Sequence, residues 1–410
     1  MVNNSLRKDY LKASVIGLII IAVSFFIHIH PSFNSMINFK TSVYNTENAC
    51  FSNDYIQVVL DYHKDHPVFS RRPMTTFLIE TVKEVTGVGL AASFALVGFF
   101  FFYVNGLLVY ALSRFLKSTS GQALWSMLLY HLSFTILFPY FRTTYTYDEP
   151  LQYFFCLLAL IGIYKPANWL MVLGLTGAVF ARESSLVVFP SFFLLYYFKG
   201  SEGFKIRWDV IRKALLFAVP VVIYLGYYGY HLSTFQAGVE ADYDEASIRV
   251  SQLSYNFQSN AYTLETISLF LIVNLFPLVL LFLQPRSDRS GMLIKAFWVL
   301  LGLNTIMVLL GARVSESRVL TLPLLLLWPL MGGYVQAIGS DLIVQLRGKK
   351  MRIVLLISMM MMALAAYFGA FKVYEQTGAK ADENLFNEYF FMVLFTSGML
   401  LLLHAFRKKV

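Results

Sequence analysis

The sequence predicts an all-α protein: a polytopic bundle of about twelve membrane-spanning helices, with short juxtamembrane helices in its first outer loop. Three observations predict it. Of 410 residues, 57% are hydrophobic and only 14% are charged, against roughly 25% charged in an average soluble domain. Mean hydropathy is +0.61. Apolar runs near the length of about 20 residues that lets a helix cross hydrocarbon recur along the whole chain between short charged stretches. Two cysteines, Cys50 and Cys156, exclude a disulfide scaffold and a cysteine-rich metal site.

Taken in order, the runs lie near 13–33, 88–112, 123–141, 151–164, 166–181, 184–198, 214–232, 267–284, 296–311, 319–339, 353–371 and 389–405. The first follows Arg7, Lys8 and Lys12 and ends at Ser24-Phe25-Phe26-Ile27-His28 with no small-residue cleavage site, so it reads as an anchor and not a removed signal. Residues 34–87 form a long first extracytoplasmic loop. Within it Pro73 suits a first helical turn, and Phe77, Leu78, Val82 and Val85 recur at helical spacing with Glu80, Lys83 and Glu84 opposite, predicting a surface helix over 73–86. Tyr55, Val58, Val59 and Tyr62 predict a second over 53–64. The runs 151–164 and 166–181 are short, and Lys165-Pro166-Ala167-Asn168 between them is either a tight cytoplasmic turn or the bottom of a re-entrant hairpin. Residues 233–266 form a second large extracytoplasmic loop with Glu240, Asp242, Asp244, Glu245 and Arg249. No repeat, Gly/Ser linker or low-complexity tail divides the chain, so residues 1–410 read as one integral-membrane domain.

The net charge of +9 and pI near 9.3 invite a nucleic-acid partner until the charges are split by face. With the N-terminus inside, twelve spans place 21 of the 33 basic residues and five acids on the cytoplasmic face, a net of +16, and leave −7 outside. That asymmetry is the positive-inside signature, so the basic pI reflects topology, both termini are cytoplasmic, and no nucleic acid is needed. The one Asn-x-Ser/Thr sequon, Asn3-Asn4-Ser5, falls at the inner terminus, which favours a bacterial inner (plasma) membrane over a secretory pathway.

Charges set close to hydrocarbon cost a few kcal/mol unless they pair or face water, so they are functional candidates or local ion pairs. All such charges here fall on the outer face. Arginines Arg71, Arg72, Arg142, Arg182, Arg313 and Arg318 accompany the carboxylates Asp54, Asp148, Glu149, Glu183 and Glu316. Guanidinium groups grip phosphate oxygens in pairs, while a carboxylate takes a proton from an attacking hydroxyl or holds a divalent metal. Together they suit a reaction on a phosphate-linked donor, with Tyr140, Phe141, Tyr145 and Tyr147 available to floor a sugar ring. His63 and His66 beside Asp61 and Asp65 invite a metal, although histidines in an exposed loop are more often not ligands. Asn105, His131, Asn274 and Asn304 at mid-span read as helix–helix hydrogen bonds.

With Asn53-Asp54 early in a long first outer loop, two juxtamembrane helices, Arg71-Arg72-Pro73, Tyr147-Asp148-Glu149-Pro150 and Ala181-Arg182-Glu183-Ser184 followed by an apolar run with Pro190, the pattern of residues 10–200 resembles the GT-C superfamily of integral-membrane glycosyltransferases. The resemblance implies a sugar moved from a polyprenyl-phosphate donor to a glycan, lipid or protein acceptor outside the cytoplasm. By it Asp54 is the general base, and Arg71, Arg72 or Arg182 holds the donor phosphate. The remaining outer charges Arg142, Asp148, Glu149, Glu183, Arg313, Glu316 and Arg318 complete the substrate site, the partners are the donor, the acceptor and membrane lipids, and the metal is left open between none and a divalent ion. The family pairs two acids in this loop, where this chain has Asn53 before a single Asp54. Two other classes share the same outline: a twelve-span transporter or flippase, for which no matching halves are found, and a polysaccharide polymerase or ligase using the same lipid-linked material with the acidic loop 233–266.

Overall fold

The apolar runs become helices, and several carry a proline inside them: Pro220, Pro277 and Pro329. The computed structural model describes residues 4–24, 53–137, 147–198, 208–234, 251–283, 288–312, 314, 317–345, 349–377 and 386–407, and every regular element among them is helical. In chain order these are α1 (Asn4–Ser24), α2 (Asn53–Asp65), α3 (Pro67–Ser70), α4 (Pro73–Thr86), α5 (Leu90–Phe115), α6 (Ser120–His131), α7 (Phe134–Leu137), α8 (Glu149–Tyr164), α9 (Asn168–Ala181), a 3-10 turn (Glu183–Val188), α10 (Phe189–Phe198) and α11 (Trp208–Thr234). Then come α12 (Gln252–Asn256), α13 (Asn260–Leu283), α14 (Asp288–Gly311), a 3-10 turn (Ser317–Leu320), α15 (Leu324–Gln345), α16 (Lys349–Tyr367) running through a π turn (Phe368–Lys372) into α17 (Val373–Thr377), and α18 (Phe386–Arg407).

Among the described residues six helical stretches are long and apolar enough to cross a membrane: Leu90–Phe115, Val210–Thr234, Asn260–Leu283, Gly291–Gly311, Ile353–Gln376 and Phe386–Ala405. The chain is an integral membrane protein. A helix lies on each of the twelve apolar runs, and these six meet the length and apolarity of a span. Helices α8 and α9, with 16 and 14 residues, rise only about 24 and 21 Å, less than the roughly 30 Å hydrocarbon core.

The chain divides into two compact units, Met1–Phe115 with Leu137–Ser247, and Leu116–Ile136 with Ile248–Val410. In the first, α8 and α9 fold back on each other as a hairpin. Their backbones meet because Gly174 has no side chain: a Cβ there would stand 2.6 Å from the Ala159 nitrogen and 2.7 Å from the Phe155 carbonyl oxygen, both of them main chain. Gly174→Ala is therefore expected to force the hairpin apart at a cost of about 1–3 kcal/mol or more, read as a lower thermal midpoint of the detergent-solubilised protein. Gly226→Ala on α11, where nothing lies within 4 Å of the added carbon, should leave the midpoint unchanged.

Helices α2 and α4 occupy the two surface-helix positions read from periodicity, but with different buried faces. On α4 the inward side is Thr75, Thr76 and Ile79, while Phe77 and Val85 stand 66% and 79% exposed. On α2 the buried set is Tyr55, Ile56, Val59, Leu60 and His63, with Val58 and Tyr62 turned outward. On α2 the buried face keeps Tyr55 and Val59 of the predicted stripe, and on α4 Leu78 and Val82 pack partly buried against the same core, so each face is rotated and not replaced.

In the second unit α6 packs on α15, where the Gly332 N–H donates to Ser126 Oγ at 3.0 Å. Asn256 caps the end of α14: its Nδ2 donates to the Leu309 and Ala312 carbonyls at 3.3 and 2.9 Å, and its Oδ1 accepts from the Val314 N–H at 3.1 Å, satisfying groups that a helix end leaves open. The mid-span amides divide in their roles. Asn105 donates to the Pro150 carbonyl at 2.8 Å and Asn304 to the Val319 carbonyl at 3.0 Å, tying separate segments together. Asn274 donates within its own helix to Phe270 at 3.1 Å, and His131 Nδ1 pairs with the Met127 carbonyl at 3.0 Å.

Candidate functional site

The α8–α9 hairpin turns at residues 165–167, so the first residue of α8 and the residue after α9 lie at the same end. That places Glu149 and Arg182 in direct ion-pair contact. After Arg182, whose backbone is extended at φ −161° and ψ 124°, the chain winds into the 3-10 turn Glu183–Val188. Ser185 Oγ pins that turn by donating to the Ala178 carbonyl at 2.7 Å, and Gln152 Nε2 donates to Ser185 Oγ at 2.8 Å. Glu183 is thereby aimed at the start of α4. There Pro73, which has no N–H to leave unsatisfied, opens the helix behind Arg72.

Arg72 grips Glu183 with two parallel bonds, Nε donating to Oε2 at 2.6 Å and Nη2 to Oε1, the fork geometry in which arginine binds oxyanions best. Its Nη1 stands 3.9 Å from Asp148 Oδ2, and Arg71 Nη2 stands 3.7 Å from Glu183 Oε1. Six residues spread over 113 positions of sequence, Arg71, Arg72, Asp148, Glu149, Arg182 and Glu183, thus meet in one cluster inside the first unit.

The carboxylates differ in their electrostatics. Asp148 is completely buried; neither of its oxygens accepts a hydrogen bond among the described residues, and Thr75 Oγ1 approaches without reaching hydrogen-bond geometry. Burial pushes its carboxyl up to about 7, Arg72 offsetting that only in part and the neighbouring Glu149 adding to it. For Glu183 burial also acts upward, but the charge and hydrogen bonds of Arg72, then the charge of Arg71, outweigh it and hold the carboxylate down at about 2. Burial alone would lower Arg72, yet Glu183, Asp148 and Glu149 keep its guanidinium firmly protonated.

Aromatic rings line the cluster. Tyr147 Oη and Thr76 Oγ1 are 2.7 Å apart, and His63 is sandwiched between the rings of Tyr147 and Phe69, with centroids at 4.2 and 4.7 Å. Arg72 lies over Phe69 at 5.2 Å and Arg71 over Tyr228 at 5.6 Å. Ser70 Oγ and His231 Nε2 are 3.2 Å apart. Sequence reasoning passed over Gln152, Tyr228 and His231, and weighed His63 only as a metal ligand. His63 is a buried helical residue and not an exposed loop histidine, and its signal was its place one turn beyond Val59 and Leu60 on α2. Tyr224, Tyr228 and His231 follow at the spacing of one helix face on α11.

Asp54 lies elsewhere. It is exposed in the first turn of α2, the end held by Asn53 Oδ1 accepting from the Ala91 N–H at 2.9 Å. His63, at the cluster, is nine residues on, about 13 Å along the helix axis. Arg142, Arg313 and Glu316, with Tyr140, Phe141, Tyr145 and the acidic stretch from Glu240 to Arg249, lie outside the described residues, as does the side chain of Arg318. Among the described residues no group of three or more His, Cys, Asp or Glu side chains is placed to hold a metal ion. Glu149 and Glu183 are each engaged by an arginine, so the described cluster offers no ligand set for a divalent ion. Comparison of the chain with family models, with curated proteins and with solved structures finds no match.

Proposed function

We propose that the protein is a membrane glycosyltransferase that moves a sugar from a polyprenyl-phosphate carrier to an extracytoplasmic acceptor. The observation that supports it best is the convergence of three arginines and three carboxylates at the end of a hairpin too short to cross hydrocarbon alone. A buried arginine cluster beside lipid suits an oxyanion carried on an apolar tail. In this reading Arg71, Arg72 and Arg182 meet the donor phosphate and stabilise the charge that grows on it as the glycosidic bond breaks. The rings of Tyr147, Phe69 and His63 flank the sugar or the first prenyl unit.

In a direct displacement the leaving phosphate and the group that takes the acceptor's proton lie on opposite sides of the anomeric carbon. The solvent-exposed Asp54 is assigned the base from the GT-C-like pattern of the first outer loop, with inversion at the sugar. Twelve spans with both termini cytoplasmic in a bacterial inner membrane put this end of the first unit outside, by the charge asymmetry of the sequence.

Proteoliposomes holding the full-length protein and a polyprenyl-phosphate hexose labelled in the sugar test the reading. Covalent appearance of label on an added glycan, lipid or protein acceptor supports it; label that merely changes compartment makes the protein a transporter. Asp54→Asn is expected to abolish transfer in protein that remains folded and inserted, and full activity in that variant would remove Asp54 from the mechanism. Arg71→Lys and Arg182→Lys should raise the donor concentration needed for half-maximal rate by about tenfold or more, since lysine loses the bidentate fork.

A further inference from the structure

The described cluster is electrically closed: three guanidinium groups face three carboxyl groups, and two of the carboxylates are directly gripped, Glu183 by Arg72 and Glu149 by Arg182. A phosphate entering such a site adds a buried negative charge that no described residue is left to balance, and an unbalanced buried charge is costly. Asp148 differs from the other two. It is completely buried, its oxygens accept no hydrogen bond among the described residues, and its closest cation is 3.9 Å away and already committed to Glu183. A carboxyl group in that position is the one whose negative charge the cluster can most readily give up.

We propose that a phosphate anion enters this cluster together with one proton, which is taken up by Asp148. The inference rests on the lipid-phosphate reading and adds to it a chemical condition: the site binds the anion and the proton as a pair. Among the described residues the groups facing Asp148 fit that role. Arg72, just before α4, and Arg182, after α9, face it as cations; on its own segment it is flanked by Tyr147 and Glu149, and His63 reaches Tyr147 from α2. Asp148 is lifted to about 7, while the nearby Glu183 is held near 2. Neutralising Asp148 turns a three-against-three cluster into one with a net positive charge, which is what a phosphodiester needs.

The test uses the full-length protein in lipid nanodiscs and farnesyl methyl phosphate, a phosphodiester whose single negative charge does not itself titrate across the range used. Calorimetric titration in two buffers of different protonation enthalpy counts the protons exchanged on binding. Near pH 8 the wild type is expected to take up about one proton per phosphodiester bound, and its affinity should fall about tenfold for each pH unit above neutrality. Near pH 5, where Asp148 already carries its proton, uptake should vanish. Asp148→Asn should bind without uptake and with pH-independent affinity. Binding by the wild type without proton uptake overturns the inference and leaves the lipid-phosphate reading standing. Undiminished uptake in Asp148→Asn overturns it by moving the proton to another group. Absence of binding at every pH overturns the lipid-phosphate reading and the inference with it. The wild-type pH profile needs no variant, so the first and last outcomes are decided even where Asp148→Asn yields no folded protein.

Discussion

Arg72→Met is expected to abolish most of the folded protein, and adding Glu183→Leu is expected to restore it. The single change leaves Glu183 in the same partly buried place without the two hydrogen bonds that hold it there, and Arg71 at 3.7 Å is too distant to replace them. Removing one partner of a buried ion pair costs about 3–5 kcal/mol, because the other charge is stranded. Replacing both by apolar groups of similar volume avoids desolvating either charge and is often neutral. The measurement is the thermal midpoint of the solubilised protein by size-exclusion recovery, for wild type, both single variants and the double. A double variant as unstable as the sum of the singles would show that the two side chains do not act as a unit. Transfer activity separates stability from function: the double variant should fold and remain inactive, since the pair holds the site's oxyanion fork.

Asp148→Asn should behave in the opposite way, stabilising the fold. The Asp148 carboxyl has an ordinary value of 3.8 and is raised to about 7 when folded. Between those values the native protein binds a proton that the unfolded chain has released, so the contribution of Asp148 to stability is present at low pH and is lost as pH rises toward 7. Asparagine carries no such penalty. The variant should therefore melt higher than wild type at pH 8, by an amount on the order of a few kcal/mol, with the difference shrinking to nothing as pH falls below about 4. Glu183 runs the other way. Its carboxyl is lowered to about 2, so its contribution is present above the ordinary carboxylate range and is lost in acid. The comparison of Asp148→Asn with wild type cancels that background. A constant offset between the two melting curves at all pH values would sink the assignment of the titrating group.

Much of the architecture is legible before any coordinates. Helices fall on all twelve apolar runs, and the surface helix over 73–86 has the bounds that Pro73 and the following period imply. These features are local: hydrophobic length and turn chemistry act over one element at a time. The buried faces of α2 and α4 were legible in part: Tyr55 and Val59 are buried and Leu78 and Val82 pack on the core, but the burial of Thr75 and Thr76 requires the partner. His63 was misplaced for the same reason, since only the Tyr147 and Phe69 rings from other segments turn it inward.

The sequence by itself determined that this is a helical membrane protein, and which rare charges deserve a chemical explanation. It also supplied Arg71, Arg72, Asp148, Glu149, Arg182 and Glu183 as candidates. Only the tertiary structure decided that these six meet, that Asp54 stands at the far end of α2, and that two of the acids are directly gripped by arginines while Asp148 has Arg72 at 3.9 Å and accepts no hydrogen bond among the described residues. The reason is geometric: a residue's charge is written in its identity, but its partner, its burial and therefore its protonation depend on segments up to 111 residues away in the chain that the α8–α9 hairpin brings to one place.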